Sequence, residues 1–230
     1  MNRFRNLLIE KEMTLPSIYR KAAFVRSDDT SYINTGFVIP EEGCIVEVSF
    51  KYVRTIFNQP GSGGGIWGSR YIYSPYQGAS AVHYWDRISI IATLNNIYTH
   101  QKGTEPQLTT HVEYHHKMVL YKEDNTYFMQ EHCVDGTTIN TLSSATSYVY
   151  ENQPIFLFRT NLSPKNETTA GGRGIASISN FKITAHDGTK LLDLIPCVRK
   201  TDNVPGMWDK VGKNFLTNAA SAGGNLIVHE

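Results

Sequence analysis

The stretch Gly43–Val53, GCIVEVSFKYV, limits the fold more than any other. Cys44, Val46, Val48, Phe50 and Tyr52 share one parity, while Glu47, Ser49 and Lys51 share the other. Apolar and polar residues alternating at a period of two describe a strand with one face on a core and one in water. That is the habit of an antiparallel sheet. Further runs follow the same logic. ISIIATL (Ile88–Leu94) is predicted as a strand. Strands through Lys117–Tyr121 and Tyr127–Val134 are predicted to form a hairpin around a turn at Glu123–Asn125, and Gly136 in VDG is placed to take the next turn. PIFLFRTN, GIASISNFKITAHDG, KLLDLIPCVRK and GNLIVHE complete the set. In the second of these, Ile175 and Ile178 lie on opposite parities, which predicts a bulge around Ser179–Asn180. Short, regularly spaced strands without intervening helices imply an all-β sandwich or barrel.

Three segments read differently. Leu7 and Leu8 in RFRNLLIEKEM lie three and four residues after Phe4 with charges around them, as on a short amphipathic helix that Pro16 ends or turns. A helix of that length is marginal alone in water and needs something to dock on. Residues 1–20 are therefore expected either to pack on their own domain or to form an arm for assembly or attachment, with residues 21–230 as the domain. NQPGSGGGIWGSRYIYSPYQGAS and NLSPKNETTAGGRG, rich in Gly, Ser and polar residues, are expected to be loops.

Composition narrows the function. In 230 residues, 40% are hydrophobic, 19% charged and 11% aromatic, enough for a sizeable core. The net charge of +1, with no basic stripe, argues against nucleic acid as a main partner. There is no apolar run long enough to cross a bilayer, so no membrane insertion is expected. NLLIE is too short for the core of a signal peptide, which points to synthesis and assembly in the cytoplasm. Cys44, Cys133 and Cys197 are odd in number and far apart, the pattern of buried small hydrophobes and not of a disulfide framework.

TSYINTGF, IWGSR, HKMVLYKEDNTYFMQEHCVDG and GRGIASISNFKIT, in this order, resemble the laminin-G-like, concanavalin A-like jelly-roll domains. LLDLIPCVRKTDNVPGMWDKVGKNFLTN is similar to the closing segment of such domains in virion proteins of tailed bacteriophages and in surface proteins of gut bacteria. The resemblance covers roughly residues 22–228. It implies a two-sheet antiparallel jelly-roll sandwich and a place on a virion surface, as capsid decoration, head fibre or tail-associated adhesion. The implied partners are other capsid or tail proteins, further copies of the chain, and host surface glycans. Within the closing segment, GMWDKVGKNFL is expected to form a tight hairpin turning around Lys210–Lys213, with Trp208 and Phe215 packing. The alternative is that Trp208 lines a ligand cleft.

A glycoside hydrolase of this fold needs two carboxylates facing one cleft. Glu41 and Glu42 are adjacent, Glu47 stands alone on its strand, and Glu105, Glu113, Glu123 and Glu131 are scattered. A non-enzymatic module is the expectation, with a bacterial surface lectin and a hydrolase as alternatives. His111 and His115 would share a strand face with Glu113, but the three would be strung over roughly 13 Å, too far for one ion. Asp28, Asp29, Asp86 and Asp187 are loop acids of the type that bind calcium, and their spacing specifies no site. No other cofactor is implied. The candidate glycan contacts are Trp67, Arg70, Tyr71, Tyr73, Tyr76, Tyr84 and Trp85, because rings stack on sugar faces while nearby polar groups bond the hydroxyls. Asn161 and Asn166 begin glycosylation sequons that matter only in a secretory pathway.

Overall fold

A computed structural model describes residues 15–28, 30–52, 64–71, 78–84, 87–94, 97–102, 111–132, 138–145, 153–163, 167–168, 176–220 and 223–229. Phe4, Leu7 and Leu8 of the expected helix lie outside the described residues, as do Cys133 and the predicted turn at Gly136. The described elements are all strands. They are β1 (Tyr19–Lys21), β2 (Phe24–Ser27), β3 (Ile33–Val38), β4 (Gly43–Tyr52), β5 (Gly64–Tyr71) and β6 (Gly78–Tyr84). Next come β7 (Arg87–Leu94), β8 (Ile97–Lys102), β9 (Glu113–Glu123), β10 (Thr126–His132), β11 (Thr138–Ala145) and β12 (Pro154–Leu157). The last are β13 (Asn161–Ser163), β14 (Glu167–Thr168), β15 (Ala176–Thr184), β16 (Lys190–Arg199), β17 (Val204–Asp209), β18 (Asn214–Leu216) and β19 (Leu226–His229).

They make two sheets. The larger runs β11-β10-β9-β4-β15-β16-β17-β18 and also takes in β1, β2 and β19. The smaller runs β14-β13-β5-β6-β7-β8, with β12 and β3 attached beside β5. Pairing is antiparallel except for β13 on β5. The parity read from the sequence is the parity found. Cys44, Val46, Val48 and Phe50 of β4 are buried, as are Met118 and Leu120 of β9 and Tyr127 and Met129 of β10. Ile33, Ile66, Trp67, Ile155 and Leu157 supply the facing layer from the smaller sheet. The Trp67 and Phe181 rings meet edge to face across the sandwich, with centroids 6.3 Å apart.

Local chemistry sets the register. Asp124 and Asn125 both adopt positive φ, 45° and 59°, as a two-residue hairpin turn requires. Gly43 opens β4 at φ +87°, and a side chain there would strike the Leu120 backbone. The predicted bulge is present: the β4–β15 register shifts between Ile178 and Asn180.

Two expectations change. The glycine-rich segment after Asn58 is not all loop, because Gly64–Tyr71 and Gly78–Tyr84 pair as β5 and β6. Backbone hydrogen bonds complete a ladder whatever the side chains, and Gly65 lets the Arg159 backbone approach where a Cβ would collide. The second polar stretch likewise contributes β13 and β14. In addition, the boundary at residue 20 falls inside β1, which pairs with β16 from Tyr19↔Arg199 to Lys21↔Cys197. Ser17 and Ile18 are already tied to the domain through Lys200.

The closing hairpin forms as expected. β17 and β18 pair from Met207↔Leu216 to Asp209↔Asn214, around a turn at Lys210–Lys213. The Asp209 carboxylate accepts the N–H groups of Val211 and Gly212 at 3.0 and 2.9 Å, so the charge in GMWDKVGKNFL is a turn clamp. Gly206 lies under the Phe215 ring and the Leu216 carbonyl, with no room for a Cβ. Gly206→Ala is expected to cost about 1–3 kcal/mol through overpacking, read as a lower urea midpoint with an unchanged slope.

Candidate binding surface

Of the aromatic residues singled out in the sequence, Trp67 is fully buried in the core and has no face to offer a sugar. The β5–β6 register shifts between Gly65 and Trp67, which turns Ile66 and Trp67, neighbours in the chain, both inward. Arg70 and Tyr71 end β5, and Tyr84 ends β6; their backbones are described, and their side chains are not. Tyr73, Tyr76 and Trp85 lie outside the described residues.

The described surface with the most chemistry is the outer face of the larger sheet, where the sheet forks. β15 pairs with β16 from Phe181 to Thr184 but with β2 at Ser177 and Ile178. The bulge at Ser179 parts the two strands, and the segment Tyr19–Ser27 enters the gap. It pairs first with β16 through β1 and then with β15 and β19 through β2. At the crossover, Ala22 N–H donates to the Pro196 carbonyl and Ala23 N–H to the His229 carbonyl. A cleft of about 650 Å³ opens there, lined by the segment Arg20–Phe24 together with Glu113, Ser179, Asn180, Ile195 and Pro196.

Side chains on this face are linked across four strands. Ser179 Oγ donates to Glu113 Oε1 at 2.6 Å, and Ser49 Oγ lies 2.6 Å from His115 Nδ1. Lys51 Nζ sits 4.2 Å from the centre of the Phe24 ring, a cation–π contact. Glu113 and His115 do share an exposed face, as the sequence implied, while His116 turns inward and His111 sits in the preceding turn at φ 68°. No three His, Cys, Asp or Glu side chains converge on a metal-sized site among the described residues.

Beside the cleft, Trp208 stands across from Ile195 on the neighbouring strand. Its ring and that of Phe215 each lie 5.1 Å from Tyr19, and the Arg199 guanidinium covers Phe215 at 5.1 Å. All four side chains are half-buried, so the cluster both seals the sheet and shows ring area to solvent. No periodic signal in the sequence could have joined Tyr19 to Trp208, because pairing of chain segments far apart brings them together.

The loop acids have structural work. Asp28 accepts the N–H groups of Thr30 and Ser31, the Thr30 hydroxyl and the N–H of Asn225, tying the β2–β3 connection to the approach to β19. Burial alone would raise its pKa, but these hydrogen bonds outweigh it and hold the carboxyl well below the usual carboxylate range. Asp187 accepts the Thr189 N–H in the β15–β16 turn, and that bond, the largest influence on it, likewise lowers its pKa. Asp29 and Asp86 lie outside the described residues. Burial pushes the Cys44 and Cys197 thiols up to about 12, so both are inert packing groups, as their spacing suggested.

Among solved structures, a native heptameric SAP-like pentraxin from Limulus polyphemus matches with a TM-score of 0.51 at 8% identity, covering 90% of this chain and 96% of its own. The fold is a jelly-roll sandwich. Tailspike protein 2 of the Escherichia coli O157:H7 bacteriophage CAB120 matches with a TM-score of 0.43 at 11% identity, over 76% of this chain and 27% of its own. A protein of unknown function from Shewanella oneidensis gives 0.36 at 16% identity, over 62% of this chain and 57% of its own. No family model and no curated protein matches the sequence.

The Asp28 clamp carries a pH signature. A carboxyl whose pKa is depressed by folding adds stability above its unfolded value, near 3.8, and loses it as pH falls below that value toward the folded one. Asp28→Asn is expected to cost about 1–2 kcal/mol at neutral pH, allowing for partial exposure. Urea denaturation at a series of pH values should show the gap between variant and parent closing below about pH 4.

Proposed function

We propose that this chain is a non-enzymatic structural and binding module on the surface of a bacteriophage virion, held in many copies and touching host glycans weakly. What supports the reading is the segment Leu191–Asn218, whose sequence resembles the closing segments of virion jelly rolls. It forms β16, β17 and β18 and brings the half-open Tyr19–Trp208–Phe215 cluster to the outer face. A platform of rings beside polar groups suits weak stacking on sugars, and repeated copies would turn weak contacts into useful avidity. The contacts of these carboxylates also support a non-enzymatic role: Asp28, Asp187 and Asp209 hold turns, while Glu41 and Glu47 pair with Lys122 and Lys182.

Residues before Leu15 are the proposed attachment arm. The boundary is placed there because Pro16, Ser17 and Ile18 bond to the domain. Light scattering on the full chain and on a chain beginning at Leu15 tests the assembly role. An oligomer that becomes a folded monomer on truncation is the expected result. A full-length chain that stays monomeric at high concentration would favour the other reading of the same surface, a free-standing lectin module.

A further inference from the structure

We infer that the cleft at the sheet fork is a sugar site that takes one pyranose ring of a glycan. The inference rests on the proposed glycan-binding role and gives it a location other than the Trp67–Trp85 segment. The lining has what a pyranose needs. Lys21 and Asn180 present donors, and neither side chain has a described partner. Glu113 supplies an acceptor: one of its oxygens takes the Ser179 hydroxyl at 2.6 Å, which fixes the carboxylate and leaves the other oxygen for a sugar hydroxyl. Phe24, Ile195 and Pro196 give an apolar surface for the C–H face of the ring. Donors, an acceptor and an apolar wall together fit a hydroxyl-rich, two-faced ring better than a purely apolar or purely anionic ligand.

The walls are also stiff. Ser179 Oγ, bonded to Glu113, also lies 3.2 Å from the Ser49 carbonyl, and Ala22 and Ala23 are bonded through their backbones to β16 and β19. Little ordering remains to oppose binding. At about 650 Å³ the cleft exceeds one ring, so a chain can continue along the sheet. The half-open Trp208 ring beside Ile195 lies where a neighbouring sugar could stack.

The test uses the full chain, nitrogen-15 labelled, titrated with methyl glucoside, methyl galactoside, methyl mannoside and N-acetylglucosamine, with amide shifts followed by NMR. At least one sugar should give saturable shifts centred on Ala22–Phe24, Ser179–Asn180 and Ile195. Two variants locate the site. Glu113→Gln removes the acceptor charge, and Ala23→Phe fills the cleft from an exposed position. Each should weaken binding about tenfold or more with the melting temperature held near the parent's. Sugar binding that survives both variants would overturn the cleft assignment and leave a glycan-binding module with its site elsewhere. No shift with any of the four sugars would overturn the assignment and the glycan half of the proposed function together. The attachment role is decided separately by light scattering.

Discussion

The edge-to-face contact between Trp67 and Phe181 is the point on which the sandwich closes. One ring comes from the smaller sheet and one from the larger, and neither is exposed. Such a pair adds roughly 0.5–1.5 kcal/mol beyond the area it buries. Its geometry depends on two bulges. The shift at Gly65–Trp67 turns the indole inward, and the shift at Ile178–Asn180 restores Phe181 to the core parity that Ile178 already holds. Those irregularities also shape the outside. The bulge that aims Phe181 inward is the one that parts β15 from β16 and opens the cleft.

The closing hairpin depends on the same layout. Asp209 clamps the turn, Gly206 makes room for Phe215, and Trp208 and Phe215 meet Tyr19 from the other end of the chain. The segment closes the fold, and in doing so it places rings at the edge of a polar cleft. Structural and binding roles are therefore not alternatives for Trp208. A ring half-buried on a sheet can seal the strand beneath it and still offer a face to a ligand.

Much of the larger sheet was legible in the sequence because one of its faces meets water. Alternation in Cys44–Phe50, the Asp124–Asn125 turn and the broken parity near Ser179 each leave a local mark. The smaller sheet was legible only in part: ISIIATL and PIFLFRTN marked β7 and β12, while β5 and β6 were hidden. Gly64–Tyr71 and Gly78–Tyr84 are rich in small residues and carry no clean period, and the bulge at Trp67 erases what alternation there is. A tryptophan beside glycine reads the same in a core as in a loop. The binding surface was illegible for a different reason. Lys21, Glu113, Asn180 and Trp208 come from four distant segments, and only the fork in the sheet gathers them. The Asp28 clamp likewise depends on Asn225, 197 residues away.

The fork has a consequence for how the chain becomes folded. Segment Tyr19–Ser27 sits between strands that lie far along the chain from it, and the Ser17–Lys200 bond spans 183 residues. Pairing so distant in sequence is slow, since the loop must close before its contacts repay the cost. The strands of that segment therefore wait, with open edges, for partners synthesised more than a hundred residues later. During that interval another nascent copy could offer the same edges. Production of the native protein thus depends on synthesis rate and local crowding as well as on the stability of the finished sandwich.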